Sequence, residues 1–169
     1  EVEYEALGQS FSNRGRRSEE QIELLRLLWT QESVDFNGRY HKVTNAGINP
    51  LPVQRPIPIW LGGGEDRVIK RIGEMADGWF PQFQPDSAGQ EKLGQMREYA
   101  TKAGRDPKAI GIEGRVAYAT DKQEDWEKMA AAWDEVGATH LSVNTMKAGL
   151  TGPDQHIEAI KRFKETVSG

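Results

Sequence analysis

The segment PIPIWLGGGEDRVIKRIGEMADGWFP, residues 56–81, decides the fold. It begins with a short apolar run, Ile57 to Leu61, which is typical of a strand buried on both faces of a parallel sheet. Gly62–Gly64 end that strand. The apolar side chains that follow recur at helical spacing, and Gly78 is the predicted helix stop before the next strand. The predicted helix stripe comprises Val68, Ile69, Ile72, Met75 and Ala76. The segment therefore predicts strand, glycine turn, helix and strand.

A glycine turn that leads into a helix indicates an anion site. The first N–H groups of a helix have no intrahelical partners and lie at the positive end of its dipole. Glycines let an anion approach the backbone without a Cβ in the way. Arg67 and Lys70 could add positive charge. The alternative interpretation is a tight βα turn with no ligand, and the spacing alone leaves both open.

The rest of the chain continues the alternation of strands and helices. Strands are predicted near residues 57–61, 78–81, 110–118 and 139–144, each followed by a helix. This alternation predicts a parallel sheet with right-handed crossovers, and four β/α units are half of an eight-stranded TIM barrel. Periodicity leaves a half barrel and a small open sheet as alternatives. An Asn37-Gly38 pair between two β-prone runs predicts an inserted β-hairpin near residues 34–43, with positive φ at both turn residues.

Helix starts and buried faces are predicted from capping residues and apolar spacing. Ser18 with Gln21 predicts a capping box for a helix that ends at Thr30, and Ser87 is the predicted N-cap of a later helix. We interpret a tryptophan-containing stripe at 126–133 as core. The predicted buried sets are Ile22, Leu25, Leu28 and Trp29, widened by Leu24 and Leu27; Trp126, Met129, Ala130 and Trp133; and Ile157, Ile160, Phe163 and Val167.

Composition narrows the functional classes. The chain is 37% hydrophobic and 28% charged, as in soluble globular domains, and its net charge is -4 without a basic block, which argues against nucleic acid as a partner. It has no cysteine, and no apolar run approaches the length of a membrane helix. We therefore expect a cytoplasmic protein with no metal site and no membrane association. His41 and His140 are interpreted as structural.

The order and spacing of several motifs resemble the luciferase-like monooxygenase family, the flavin- or F420-dependent TIM-barrel oxidoreductases. The resemblance covers essentially all 169 residues, which we take as a single domain, residues 1–169. It rests on EVEYEALG (1–8), NRGRRSEEQIELLRLLW (13–29), VDFNGRYHKV (34–43), PIPIWLGGG (56–64), ADGWFP (76–81) and GATHLSVNTMKAGL (137–150). Family barrels are about twice as long, so the resemblance implies the C-terminal half of a barrel.

The resemblance also implies a cofactor site and an activity. In relatives this glycine turn wraps the cofactor phosphate, which implies cofactor contacts for Gly62, Gly63, Gly64, Asp77, Gly78 and Trp79. The implied function is an F420-dependent oxidoreductase or monooxygenase, with FMN as the alternative cofactor, acting on a small organic substrate. No catalytic residue can be assigned, because relatives take most ring- and substrate-binding residues from the other half.

The sequence leaves two other functions open. One is a non-catalytic half barrel that binds an anion or associates with itself. The other is an inactive truncation fragment. The expected partners are accordingly a small-molecule substrate and either a second copy of the chain or the missing N-terminal half.

Overall fold

The computed structural model describes residues 1–168, which form two compact units. The first comprises residues 1–59, and the second begins at Trp60. Each unit has its own secondary structure and its own buried side chains. A single domain for the whole chain stays a prediction.

The first unit contains two helices and a hairpin. Helix α1 spans Val2–Ala6 and helix α2 spans Arg14–Thr30. Strands β1, Val34–Asn37, and β2, Lys42–Ala46, pair antiparallel, which confirms the predicted hairpin.

The predicted start and buried face of α2 are partly wrong. The helix begins four residues before Ser18, whose Oγ donates to the Arg14 carbonyl at 2.8 Å, so Ser18 forms no capping box. A helix-interior serine can bond back to the preceding turn in this way. Ile22 and Leu24 are buried as predicted, but Leu25 is exposed. The predicted stripe is therefore confirmed at Ile22 and Leu24 and wrong at Leu25.

The predicted turn type of the hairpin is also wrong. Asn37 pairs with Lys42, so four residues, Gly38 to His41, form the loop, and neither Asn37 nor Gly38 has positive φ. The Gly38 N–H donates to the His41 carbonyl at 2.9 Å. A carboxylate from α2 organises this loop in place of the predicted two-residue turn.

The carboxylate of Glu20 fills the hairpin loop. Its oxygens accept hydrogen bonds from the backbone N–H groups of Arg39, Tyr40 and His41 at 2.6, 2.8 and 2.7 Å, and Oε1 lies 2.8 Å from His41 Nδ1. A Cβ on Gly38 would lie 2.4 Å from the Glu20 carboxyl carbon. Desolvation raises the pKa of Glu20, but the hydrogen bonds from His41 and the three N–H groups outweigh it and hold the pKa below its ordinary 4.5. His41 therefore has the structural role expected of it.

The second unit is a four-stranded parallel sheet with one helix after each strand. Its strands are β3 (Trp60–Gly62), β4 (Gly78–Phe80), β5 (Gly111–Ala117) and β6 (His140–Asn144), in that spatial order. Its helices are α3 (Asp66–Met75), α4 (Ser87–Lys102), α5 (Trp126–Glu135) and α6 (Pro153–Val167). All three strand pairs are parallel, which confirms the predicted succession of β/α units.

The helices pack on one face of this sheet. Trp79 and Ile112 are register partners, and they pack with buried side chains of α3, α4 and α5. Val116, on the same side of β5, packs with Trp126 and Phe163. Burial of Trp126 and Trp133 confirms the predicted core role of the tryptophan stripe.

Several predictions for the second unit need correction. Ile57 and Ile59 precede β3, and Gly78 opens β4 because α3 already ends at Met75. The N-cap of α4 is Asp86, whose side chain accepts from Gly89 N–H at 2.9 Å, so Ser87 is the first helical residue. On α6, Phe163 is buried, but Ile157 and Ile160 are exposed.

We expect Glu20→Gln to loosen the hairpin loop at neutral pH. Because the pKa of Glu20 is lower in the folded protein, the carboxylate stabilises the fold fully above its unfolded pKa, and the contribution disappears as pH falls through the folded pKa. Hydrogen exchange of the Arg39, Tyr40 and His41 amides, corrected for intrinsic rates, should accelerate about tenfold in the variant at pH 7. Glu23→Gln, at an exposed position on the same helix, should change nothing. Equal amide exchange rates at these three positions in the Glu20→Gln and Glu23→Gln variants would contradict the role of Glu20 in ordering the loop.

Candidate functional site

The glycine turn joins β3 to α3. Gly63 has φ 123°, a conformation that L side chains rarely adopt, and a Cβ there would lie 3.0 Å from Val68. Glu65, in extended conformation, is the N-cap of α3, and its side chain makes no capping hydrogen bond. The turn thus places the N-terminus of α3 at the carboxyl end of a parallel strand, and no side chain of the N-cap residue accepts a hydrogen bond from it.

Two carbonyl groups of the turn are anchored to neighbouring side chains. The indole Nε1 of Trp79 donates to the Gly63 carbonyl at 2.8 Å, and Nζ of Lys92 donates to the Gly64 carbonyl at 3.0 Å. Both peptide bonds are trans. In a trans peptide the C=O and the next N–H point in opposite directions. The N–H groups of Gly64 and Glu65 therefore point away from the anchored carbonyls.

The donors of this turn are available to a ligand. Across residues 1–168, no group accepts a hydrogen bond from the backbone N–H of Gly64, Glu65, Asp66 or Arg67. A Cβ on Gly62 would meet nothing closer than the Phe80 carbonyl oxygen, at 3.7 Å. Unpaired N–H groups at the positive end of a helix with open space beside them suit a phosphate.

Charged side chains near the turn have both signs. Lys92 and Arg67 are positive, whereas Glu65 and Asp66 are negative. The Asp66 carboxylate accepts a hydrogen bond from the Tyr99 hydroxyl at 2.8 Å, which ties it to α4. That hydrogen bond, together with desolvation, raises the pKa of Tyr99. Lys70, predicted as a possible anion contact, forms an ion pair with Glu74 at 2.5 Å.

Of the other predicted site residues, the structure brings Trp79 to the turn. Its side chain is 0% exposed and reaches Gly63 through the indole N–H. Asp77 precedes the amino end of β4, with its carboxylate 3.8 Å from Arg105 and its carbonyl accepting from Gly111 N–H. Direct contact of Asp77, Gly78 or Trp79 with a cofactor stays a prediction.

Gly78 has a packing role that does not involve a ligand. A Cβ on Gly78 would lie 2.1 Å from Cδ2 of Trp60, and one on Gly111 would lie 2.6 Å from the same indole. The Trp60 ring also packs against Phe80 and, edge to face, against His140, with centroids 5.2 and 5.0 Å apart. The two glycines therefore make room for Trp60 on the face of the sheet opposite the helices.

Lys92 was missed by sequence reasoning. It follows Gly64 by 28 residues and lies on a different helix, and nothing in the spacing marks it as a neighbour of the turn. The predicted structural role of His140 agrees with its contacts, because Nδ1 lies 2.8 Å from Thr139 Oγ1 and the ring packs on Trp60. Within residues 1–168, no group of three or more His, Asp or Glu side chains is arranged to hold a metal ion.

A separate groove of about 630 Å³ lies between the loop after β4 and the start of α5. The carboxylates that line this groove already form hydrogen bonds or ion pairs with other groups of the protein. Asp86 caps α4, Asp121 accepts from Ala117 N–H at 2.7 Å, and Asp125 pairs with Lys128 at 3.1 Å. These side chains already have partners, so the groove is a weaker candidate than the turn.

We expect Gly78→Ala to destabilise the protein through its clash with Trp60. An added methyl in a well-packed site costs about 1–3 kcal/mol. Chemical denaturation should show this loss, and combining Gly78→Ala with Trp60→Leu should cost less than the sum of the two single changes, because the smaller side chain vacates the space. Gly94→Ala, at a helical position where a Cβ meets nothing within 4 Å, serves as the control. Additive costs would contradict the packing role of Gly78.

Proteins of known sequence and structure are similar to this chain. The sequence matches the family described as luciferase-like monooxygenase over residues 1–167. It is 35% identical over 124 residues to an F420-dependent glucose-6-phosphate dehydrogenase of Mycolicibacterium gilvum, covering 71% of this chain and 37% of that protein. It is 39% identical over 174 residues to an uncharacterized protein of Mycobacterium tuberculosis, covering 98% of this chain and 56% of that one.

Among solved structures, the F420-dependent tetrahydromethanopterin reductase of Methanopyrus kandleri has a similar fold. The TM-score is 0.68 at 15% identity, covering 88% of this chain and 60% of that one. The predicted fold class, β/α units of a TIM barrel, is confirmed, and the chain spans 37–56% of the two curated relatives. The match over nearly every residue shows that the chain belongs to the luciferase-like monooxygenase family.

Proposed function

We propose that this chain is the cofactor-binding part of an F420-dependent oxidoreductase, with FMN as the alternative cofactor, and that the Gly62–Gly64 turn binds the cofactor phosphate. The substrate is a small organic molecule. Family membership supports the enzyme class, and the M. gilvum relative, whose name includes F420, favours the deazaflavin. A cytoplasmic location stays a prediction; of the helices in the described part of the chain, none is long and apolar enough to cross a bilayer.

The main observation in support of this proposal is that the Gly63 and Gly64 carbonyls are both held by hydrogen bonds from side chains. Trp79 and Lys92 hold the Gly63 and Gly64 carbonyls, so the N–H groups of Gly64 and Glu65 are each directed away from the anchored carbonyl of their own peptide before any ligand arrives. Donors that are oriented in advance cost less to order on binding. Lys92 acts in this arrangement as a positioning residue.

The bound cofactor would supply hydride transfer or oxygen activation, and the protein residues would bind and orient it. The turn would fix the phosphate, while Gly62 leaves space on the side of the sheet that carries Phe80. No residue of this chain is assigned a proton-transfer role.

A second candidate function is a non-catalytic half barrel that binds an anion. The same unpaired N–H groups support it, because they would bind any phosphate-bearing ligand. Reduction of bound F420 or FMN by a substrate would favour the enzyme, whereas phosphate binding without redox activity would favour the second function.

We expect the turn to distinguish FMN from riboflavin, which lacks the phosphate. In fluorescence titrations with the whole chain, both FMN and F420 should bind. Riboflavin should bind at the same site with an affinity about tenfold lower than that of FMN. Gly62→Asp should remove most of the FMN preference, because it adds a negative charge beside the turn where a Cβ meets only ordinary contacts. Gly62 is a better position than Gly63 for this test, because Gly63→Asp would also strain the backbone at φ 123°.

The control for Gly62→Asp is Gly94→Asp, which adds the same charge on α4 where a Cβ has no neighbour within 4 Å. Equal binding of FMN and riboflavin to the unchanged chain would overturn the phosphate site. Binding of neither F420 nor FMN would overturn the proposal for this chain.

Lys92→Met should weaken phosphate-dependent binding by about tenfold, because the Gly64 carbonyl loses its charged donor and its peptide can rotate. Lys102→Met, on the same helix and exposed, should leave FMN binding unchanged. If both variants bind FMN as the unchanged chain does, Lys92 does not position the turn.

A further inference from the structure

The side chains around the glycine turn carry balanced charges. Glu65 is the N-cap of α3, and Asp66 and Arg67 are the first two residues of that helix. All three are exposed. From α4, the ammonium group of Lys92 adds a positive charge beside Gly64. Two carboxylates and two cationic groups therefore lie around the turn, so their charges cancel.

The elements beside the turn do not change this balance. Strand β4 and the loop that follows it, residues 78–85, contain no charged residue. One turn further along α3, Lys70 forms an ion pair with Glu74 at 2.5 Å. Arg71 and Glu91, on α3 and α4, have opposite charges. The positive end of the α3 dipole is therefore the main source of net positive charge for an anion at the turn.

The two carboxylates are close to the donors that the anion would use. Glu65 and Asp66 each provide one of the unpaired backbone N–H groups, and their side chains begin at the same residues. The Asp66 carboxylate is also held by the hydroxyl of Tyr99, which donates to it at 2.8 Å. This hydrogen bond and desolvation raise the pKa of Tyr99, so its hydroxyl is neutral near pH 7 and adds no charge.

A site of this kind favours an anion with one negative charge over an anion with two. The attraction of an anion to the end of a helix, about half an elementary charge, grows in proportion to the charge of the anion. The free energy needed to remove the anion from water grows with the square of that charge. A second negative charge therefore costs more than the first and gains no more attraction. The carboxylates of Glu65 and Asp66 repel it as well.

We infer that the turn selects a phosphodiester, which has one negative charge, over a phosphomonoester, which has nearly two at pH 7. Glu65 and Asp66 are the residues that determine this specificity. The inference rests on the proposed phosphate site and names the class of phosphate that the site takes. The phosphate of F420 is a diester and that of FMN is a monoester, so the same two carboxylates favour F420.

Three ligands that share one ring system test this selection in fluorescence titrations with the whole chain. They are riboflavin, riboflavin 5′-methyl phosphate, which is a diester with one charge, and FMN. At pH 8 the methyl phosphate should bind about threefold more tightly than FMN. At pH 5, where the FMN phosphate has a single charge, the two affinities should differ by about a factor of one. Because both ligands are compared at the same pH, titration of the protein itself cancels.

Removal of the two carboxylates should reverse the preference. In a chain with Glu65→Gln and Asp66→Asn the positive side chains are unbalanced, so FMN should bind about threefold more tightly than the methyl phosphate at pH 8. Asn at position 66 retains an oxygen that can accept from Tyr99. The control is Glu127→Gln, which removes a negative charge from the first turn of α5 and should leave the preference for the methyl phosphate unchanged.

The unchanged chain alone can overturn the inference. If FMN and the methyl phosphate both bind more tightly than riboflavin, but their affinity ratio is the same at pH 8 and pH 5, the phosphate site stands and the charge selection is wrong. Equal binding of all three ligands would overturn the phosphate site itself and the inference with it.

Discussion

The second unit depends on the placement of one indole ring across four strands. Trp60 begins β3 and occupies the space that side chains on Gly78 and Gly111 would take, and its ring also reaches His140 on β6. Because β3, β4, β5 and β6 all contribute to this contact, their amino ends are held in one register. Space on the helix-free face is thereby filled at the amino ends. Free space for a ligand is left toward the carboxyl ends, where the glycine turn begins.

The glycine turn is coupled directly to the core on the opposite face. Trp79 is buried among α3, α4 and α5, and the same side chain donates to the Gly63 carbonyl. A buried indole N–H without a partner would be costly, so this hydrogen bond is favoured by the burial of the ring itself. Packing of the core and orientation of the turn's donors therefore cannot be changed independently. Lys92 adds a second anchor from α4.

The alternation of strands and helices could be predicted because it follows from the spacing of apolar residues that are close together in the sequence. Ile69 and Ile72 mark a helix face, and Ile112 and Val116 share a strand face, and both patterns hold in the structure. What could not be predicted depends on distant residues. Glu20 organises the Gly38–His41 loop from another element, so the Asn-Gly signal gave the right hairpin with the wrong turn. Lys92 is likewise distant in sequence from Gly64. Helical spacing predicted that Ile157 and Ile160 are buried, but both are exposed, because spacing alone does not show which sides of α6 the rest of the fold covers.

The run of three glycines shows why a motif alone could not decide between a tight turn and a ligand site. Gly63 is required by its positive φ, whereas Gly64 contributes its carbonyl to Lys92 and an N–H that points away from the Gly63 carbonyl. Gly62 has an ordinary φ and ordinary neighbours, so neither strain nor packing accounts for the missing side chain there. Gly78, by contrast, is explained by Trp60 alone. The three glycines of the turn thus differ in what the fold requires of them, and the open space at Gly62, which neither strain nor packing explains, is the space that the proposed phosphate site would use.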